Sequence, residues 1–260
     1  MSNPYRIKST DLFTRVDDDI KETPDSVVFI ATEGNVTEYD YFRLLDKYRG
    51  RIGISRLVRI EAIKRGSRDT NSSPESVLDM MNELLELHDN GIAIDKLNAF
   101  IPDGYDLGFI RRFLENNSSV AASKEAKAFL KKMENAGLNL SYLRFISEYG
   151  ERDDVFCLIL DKDKASHSSR QLMTVMDECR KLGAGFFISS PCFEFWLLLH
   201  LCDVKNEYAR LMDKIKEKAR VSGAHTFVSR EVSYKAKHTK HIPESVFVSH
   251  YLGSIRKAIE

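Results

Sequence analysis

Two apolar segments constrain the fold more than any other feature: VVFIATE at residues 27–33 and VFCLILDKD at residues 155–163. Neither alternates polar with apolar residues, which is typical of parallel strands covered on both faces. Each ends in carboxylates, Glu33 in the first and Asp161 and Asp163 in the second. Because open α/β sheets bind ligands beyond the carboxyl ends of their strands, these acids meet there if the two strands are neighbours. Such a cluster needs a neutralising charge, and a divalent metal ion is the usual one.

The composition is that of an ordinary globular protein. The 260 residues suit one large domain or two small ones, and 43% of them are hydrophobic. The 39 basic and 39 acidic residues balance, which argues against a protein that coats nucleic acid through net charge alone. The four cysteines form no CxxC pair and are expected to be free thiols. Without a signal peptide or a membrane-length apolar run, the chain is expected to be soluble and cytoplasmic.

The alternation of strands and helices is interrupted once, which predicts an inserted subdomain. Apolar β-branched runs predict strands at about 27–31, 56–62, 155–160 and 185–189. The stretch between the second and third of these has helical periodicity instead. The predicted organisation is a polar N-terminal arm at 1–25, a core formed by 26–65 and 150–203, a helical insertion at 66–149 and a basic C-terminal region at 204–260.

Local signals place the ends of two helices. Thr37 with Asp40 resembles a capped helix start after the first strand. Within the insertion, Ser73 or Ser76 is expected to cap a long helix, and Gly91 is expected to end it.

The order of these elements resembles the Toprim fold of topoisomerases, primases and several nucleases, with a Glu after the first strand and a D-x-D after the third. Two segments, IATEGNVTEYDYF and ISSPCFEFWLLLHL, are similar to motifs of the RloB-like family, with Ser190 where Asn is usual. LILDKDK occupies the place of the family's D-x-D. The predicted fold class is therefore α/β, a Toprim-like, mostly parallel four-stranded sheet flanked by helices, with a helical insertion and a basic C-terminal extension.

The resemblance also implies a function. RloB-like proteins resemble Toprim nucleases of bacterial anti-phage and abortive-infection systems, often encoded beside an ATPase. It implies Glu33, Asp161 and Asp163 as the acidic, metal-binding site, and Glu194 as a fourth catalytic member. His200 belongs to the same signature, although a histidine in so apolar a helix is more often a core residue. The expected activity is a Mg²⁺- or Mn²⁺-dependent endonuclease that prefers RNA such as tRNA to DNA and is controlled by an ATPase partner or by an infection trigger.

Elementary chemistry supports that expectation. Phosphodiester cleavage needs a nucleophile and a neutralised phosphate charge, and a metal ion held by carboxylates supplies both. Asp161 and Asp163 are alternate residues at a strand end, so both side chains can point the same way and hold magnesium. Glu33 is either a third ligand or a general acid or base. Lys162 and Lys164 alternate with the aspartates and are expected to steer phosphate towards the metal.

The C-terminal region is rich in lysine and arginine between residues 210 and 241. Lys235, Lys237 and Lys240 are interleaved with Tyr234 and histidines, a pattern typical of surfaces that contact nucleic-acid backbones. A solvated helix face has the same composition, so both interpretations stay open.

Two other functions fit parts of the sequence. LILDKDKA partly matches the motif of haloacid-dehalogenase-like phosphatases, which would use Asp161 as the phosphoryl acceptor, although Ala165 and the late position of the motif oppose this. The chain could instead be a non-enzymatic scaffold or sensor that binds a defence ATPase. The sequence contains no GxxxxGK[ST] motif, so any ATP hydrolysis must come from a partner. The oligomeric state is left open.

Overall fold

The computed structural model describes residues 7–8, 24–65, 73–115, 124–135, 138–147, 153–162, 168–223 and 225–260. The chain divides into two compact units. The smaller comprises residues 1–21, 63–70 and 79–154, and the larger comprises residues 22–62, 71–78 and 155–260. No helix in the described part of the chain combines the length and the apolar character that crossing a bilayer requires.

The described strands form one sheet. They are β1 (Ile7–Lys8), β2 (Ser26–Thr32), β3 (Val58–Arg65), β4 (Val155–Asp161) and β5 (Gly185–Ser189). Their order across the sheet is β1–β3–β2–β4–β5. Strands β3, β2, β4 and β5 run parallel, and the short β1 pairs antiparallel with the end of β3. The predicted α/β class, with a mostly parallel four-stranded sheet flanked by helices, is confirmed.

The register of the central strands fixes where their carboxyl ends lie. Thr32 of β2 is opposite Ile159 of β4, and Asp161 of β4 is opposite Ser189 of β5. The Glu33 N–H continues the first ladder by donating to the Ile159 carbonyl at 3.3 Å. The expectation that the two apolar strands are neighbours is therefore confirmed, and their carboxyl ends share one edge of the sheet.

Helices of varied length connect and follow the strands. In chain order they are α1 (Thr37–Lys47), α2 (Pro74–Asn90), α3 (Leu107–Glu115), α4 (Lys124–Asn135), α5 (Leu140–Ser147), α6 (Ser169–Lys181), α7 (Phe193–Leu201), α8 (Val204–Glu207), α9 (Met212–Lys216), α10 (Phe227–Ala236), α11 (Glu244–Val246) and α12 (Ile255–Ile259). Short 3₁₀ turns occur at Arg49–Ile52, Ile94–Phe100, Ala209–Leu211 and Leu252–Ser254, and one π-helical turn at Phe247–Tyr251.

The smaller unit has a helical core of its own. Its packing centres on Phe129 of α4, whose ring lies 4.8 Å from Tyr105 and 4.9 Å from Phe109, centroid to centroid. The cap and the end predicted for α2 are both confirmed. The Ser73 hydroxyl accepts the N–H of Ser76 at 3.2 Å, and Gly91 follows the last turn with φ of +70°.

The larger unit has an aromatic core built around Tyr41 of α1. The Tyr41 ring packs edge-on against Phe193 and Trp196 of α7 and against Phe247 and Tyr251 near the C-terminus. Apolar residues of α10 join the same cluster. Residues that follow α7 are therefore packed into the hydrophobic core of this unit. All four cysteines are free thiols, as predicted.

The helix start predicted from Thr37 and Asp40 is correct in place, since α1 begins at Thr37, but the expected cap is absent. Both side chains bind the C-terminal segment instead. The Thr37 hydroxyl donates to the Lys240 carbonyl at 2.9 Å, and the buried Asp40 carboxylate accepts the Ile242 N–H at 3.0 Å. The ring of His241 also contacts Asp40 at 2.5 Å. These contacts attach the segment to α1 through buried polar groups.

We expect Asp40→Ala to destabilise the protein by about 2–3 kcal/mol, because it leaves a buried backbone N–H without its charged acceptor. Asp40→Asn keeps an acceptor oxygen and should cost about half as much. Urea unfolding followed by circular dichroism measures both. The matched control is Asp177→Ala on α6, an exposed carboxylate that pairs with Arg180, where a change above about 0.5 kcal/mol is not expected. Equal effects at the two positions would contradict the anchoring role of Asp40.

Candidate functional site

Glu33 and Asp161 meet at the carboxyl edge of the sheet. The Glu33 carboxylate accepts the backbone N–H of Asp161 at 3.2 Å, a contact made possible by the pairing of β2 with β4. The sequence predicted this proximity from the strand ends alone. Asp163, the third predicted acid, lies outside the described residues.

Asp161 also holds the start of α7. Its Oδ1 accepts the N–H of Phe193, the first residue of that helix, at 2.8 Å. A carboxylate at a helix N-terminus is favoured by the backbone dipoles. The cap is thus made by a residue from a neighbouring strand. Glu194 stands in the first turn of α7, close enough for its charge to raise the pKa values of Asp161 and of the Cys192 thiol.

Glu38 belongs to the same acidic group, and sequence reasoning missed it. Its carboxylate folds back over Gly34, so that a Cβ atom at position 34 would overlap it. Any larger residue at position 34 would displace the Glu38 carboxylate from this position. Of the neighbouring acids, Glu38 has the largest effect on the pKa of Asp161. The only sequence signal was its position in the IATEGNVTEYDYF segment.

Lys218 supplies a positive charge to the site. Its Nζ lies 3.8 Å from Oδ2 of Asp161, and its side chain is only 24% exposed. It follows α9 in the left-handed backbone region, with φ of +51°, and its N–H donates to the Ile215 carbonyl at 3.0 Å. In the sequence it was one of many lysines in a basic region, and nothing local distinguished it.

The electrostatic balance of the site is negative. Burial raises the pKa of Asp161 from its ordinary 3.8 to about 8, and the charges of Glu38, Glu194 and Glu33 add to the effect, while Lys218 opposes it. A carboxyl group with a pKa of about 8 is largely protonated at neutral pH unless a further cation binds beside it.

The donors suit a hard divalent cation in chemistry. Glu33 and Asp161 provide carboxylate oxygens, and magnesium commonly binds through one or two carboxylates while keeping several waters. Within the described ranges, no group of three or more His, Cys, Asp or Glu side chains is arranged to hold a metal ion. Two carboxylates are a sufficient protein contribution for a magnesium ion that keeps most of its waters.

The lysines predicted to steer phosphate are only partly described. Lys162 directly follows Asp161, is exposed, and its N–H donates to the Ser189 carbonyl at 2.8 Å. This places its charge at the same edge of the sheet as Asp161. Lys164 lies outside the described residues.

The predicted C-terminal lysines have different surroundings. Lys235 forms an ion pair with Glu207 at 2.7 Å, and its side chain is 25% exposed. Lys237 lies over the Tyr234 ring at 4.5 Å from the centroid. Lys240 is exposed next to α1. Lys237 and Lys240 are better placed than Lys235 to meet a phosphate.

His200 lies in the aromatic core of the larger unit. It is 2% exposed, its Nδ1 lies 2.9 Å from the Trp196 carbonyl and its Nε2 lies 3.1 Å from the Tyr41 hydroxyl. Burial lowers its pKa to about 4. The ring is neutral at physiological pH, with Nδ1 donating to the carbonyl and Nε2 accepting from Tyr41. These contacts are those of a structural histidine.

Comparison with known proteins identifies a family. A family model described as RloB-like protein matches residues 28–260. No curated protein and no solved structure matches the chain. The matched range includes the acids at the carboxyl edge of the sheet, Lys218 and the aromatic core. The chain therefore belongs to the RloB-like family.

Proposed function

We propose that this protein is a metal-dependent endonuclease of the Toprim type that acts in bacterial anti-phage defence. The observation that carries the proposal is the acidic cluster at the carboxyl edge of β2 and β4, where burial and neighbouring carboxylates raise the pKa of Asp161 to about 8. A carboxyl group whose pKa is strongly raised by burial and by neighbouring acids, at the carboxyl edge of a parallel sheet, is characteristic of a functional site.

Each residue of the cluster has a distinct proposed role. Glu33 and Asp161 hold Mg²⁺ or Mn²⁺, together with Asp163 as the sequence predicts. When bound, such an ion lowers the pKa of water and offsets the charge of the reacting phosphate. The Phe193 N–H fixes the orientation of the Asp161 carboxylate. Lys218, at the opposite oxygen of that carboxylate, donates to a non-bridging phosphate oxygen.

The two other acids set the charge of the site. Glu38 and Glu194 keep the cluster negative, so that it attracts a cation before it attracts a phosphate. With the ion in place, either carboxylate is a candidate to accept the proton of the attacking water. The proposal extends, through the family resemblance, to RNA such as tRNA as the preferred substrate and to a cytoplasmic ATPase partner that restrains the activity.

The test is cleavage of end-labelled total tRNA beside plasmid DNA by the purified protein with Mn²⁺ or Mg²⁺, alone and co-purified with the ATPase encoded beside it. We expect RNA fragments that require the metal and disappear with EDTA or in Asp161→Ala. Asp177→Ala, an exposed carboxylate of α6, is the matched control and should cleave like the wild type.

Phage protection in cells provides the second arm of this test. Full protection by a well-expressed Asp161→Ala variant would overturn the nuclease proposal and favour a scaffold or sensor that binds the ATPase. Hydrolysis of p-nitrophenyl phosphate without nucleic-acid cleavage would instead favour a phosphatase that uses Asp161. Loss of protection in Asp161→Ala, with metal-dependent cleavage by the wild type, supports the nuclease.

A further inference from the structure

A shallow concavity of about 390 Å³ lies between the end of α10 and the segment that leads to α11. It is lined by Ser233, Lys237, His238, Thr239, His241 and Pro243. We refer to these residues with Tyr234 and Lys240 as the α10 shelf. All of them belong to the larger unit, and none takes part in the acidic cluster described above.

The floor of the α10 shelf is fixed by buried hydrogen bonds. His238 is 6% exposed, its Nδ1 lies 2.6 Å from the Thr239 carbonyl and its Nε2 lies 2.5 Å from the Tyr251 hydroxyl. Burial lowers the pKa of His238, so the ring is neutral, donates to the carbonyl and accepts from Tyr251. Lys237 ends α10 in the left-handed region, with φ of +58°. A surface held in this way is preorganised for a ligand.

The rim of the α10 shelf combines an aromatic face with positive charge. Tyr234 is 71% exposed, the most exposed of the large hydrophobic side chains in the described residues, although the Lys237 ammonium lies 4.5 Å from its ring centroid. Lys240 adds a second exposed cation. An exposed ring can stack a nucleic-acid base while the neighbouring lysines hold the phosphate. On a helix face that only contacts water, an exposed tyrosine adds no stability.

The α10 shelf adjoins the acidic cluster through α1. The Thr37 hydroxyl donates to the carbonyl of Lys240, and the next residue in the chain is Glu38, which raises the pKa of Asp161. Asp40, one turn further, accepts the N–H of Ile242. A chain bound on the shelf therefore needs to extend only past the start of α1 to reach the acids.

We propose that the α10 shelf binds an unpaired stretch of the nucleic-acid substrate beside the cleavage site, with a base stacked on Tyr234 and backbone phosphates held by Lys237 and Lys240. The inference rests on the proposed nuclease function and adds that the substrate is recognised as a single strand. A duplex cannot present a base face to Tyr234 without first unstacking that base. Single-stranded loops and ends of RNA present such faces directly.

The test measures binding without cleavage. A fluorescein-labelled single-stranded RNA of about twelve nucleotides, within the site sizes of single-strand binders, is titrated with the full chain in EDTA and followed by anisotropy. We expect Tyr234→Ala to weaken binding between about fivefold and a hundredfold, and Tyr234→Phe to change it by less than about twofold. The Lys237→Gln, Lys240→Gln double variant should reduce the slope of log K against log salt by about 1.4.

The controls distinguish RNA binding on the α10 shelf from RNA binding to any exposed basic residue. Lys181→Gln on α6 removes an exposed lysine elsewhere and should leave both the affinity and the salt slope unchanged. A duplex of the same sequence should bind more weakly than the single strand. Thermal melts confirm that the variants fold, which is expected because Tyr234 is mostly exposed.

Several results would overturn the inference. These are unchanged affinity of Tyr234→Ala and of the double lysine variant, equal affinity for the duplex, or no binding of RNA at all, the last indicating another class of partner for this surface. Failure of the nuclease proposal is recognised separately. In that case Tyr234→Ala still weakens RNA binding in EDTA, but no cleavage is seen with any metal or with the ATPase partner.

Discussion

Asp161→Asn is expected to lower the cleavage rate at least about a thousandfold and, in EDTA at pH 8.5, to make the protein more stable than the wild type. The loss of rate follows from the proposed role of Asp161 in holding the metal ion, because several kcal/mol of phosphate charge stabilisation would depend on that ion. The gain in stability follows because asparagine carries no charge, yet its side-chain oxygen still accepts the Phe193 N–H.

The stability of the metal-free protein is expected to fall as the pH rises. The pKa of Asp161 is about 8 in the folded protein and near its ordinary 3.8 in the unfolded chain. Between these values the folded state binds a proton that the unfolded state has released, so the stability of the metal-free wild type falls as pH rises and levels off above about 8. The advantage of Asp161→Asn is therefore largest at pH 8.5, on the order of a few kcal/mol, and vanishes towards pH 4.

Thermal melts at pH 6.5 and 8.5, with EDTA or with Mn²⁺, measure this prediction. In the wild type Mn²⁺ should raise the melting temperature more at pH 8.5 than at pH 6.5, because the ion no longer competes with the proton on Asp161. Asp161→Asn should respond weakly at both. Asp177→Asn serves as the surface control and should follow the wild type. A metal-free Asp161→Asn that melts below the wild type at pH 8.5 would show that Asp161 is not in a strained acidic environment.

The sequence predicted those parts of the site that depend on strand order. Apolar runs identified β2 and β4, and the rule that ligands bind at the carboxyl ends of parallel strands placed Glu33 beside Asp161. Glu38 was missed because its position depends on the close approach of its side chain to Gly34, which no local pattern reveals. Lys218 was missed because only the packing of the C-terminal residues brings it to the strand ends.

The capping pattern at α1 was wrong for a related reason. Thr37 and Asp40 have residue types that satisfy the start of a helix, but the same hydroxyl and carboxylate can satisfy any nearby backbone group. In the folded chain the nearest ones belong to Lys240 and Ile242. Local patterns therefore predicted where α1 begins and not which partners its polar residues have.

Lys218→Met is expected to lower the cleavage rate without weakening metal binding, whereas Asp161→Asn is expected to lose both. Removing the ammonium deletes the proposed contact with the phosphate, which should lower the cleavage rate about a hundredfold. Removing it also makes the acidic cluster more negative. The more negative cluster attracts both Mn²⁺ and the proton that Mn²⁺ displaces from Asp161. Because the ion carries two charges and the proton one, the attraction of the ion increases more, and the affinity for Mn²⁺ at fixed pH rises. A unit charge about 4 Å away contributes roughly 1 kcal/mol even in a water-like medium, so Mn²⁺ should bind about fivefold more tightly.

Isothermal titration with Mn²⁺, together with single-turnover cleavage at saturating metal, measures both effects. Lys218→Arg keeps the charge and should retain most of the cleavage rate and the wild-type metal affinity. Lys216→Met, two residues earlier at the exposed end of α9, is the matched control and should change neither. If Lys218→Met binds Mn²⁺ more weakly than the wild type, Lys218 supports the fold of the site rather than its charge balance. If metal affinity rises while cleavage is unchanged, its ammonium does not contact the reacting phosphate.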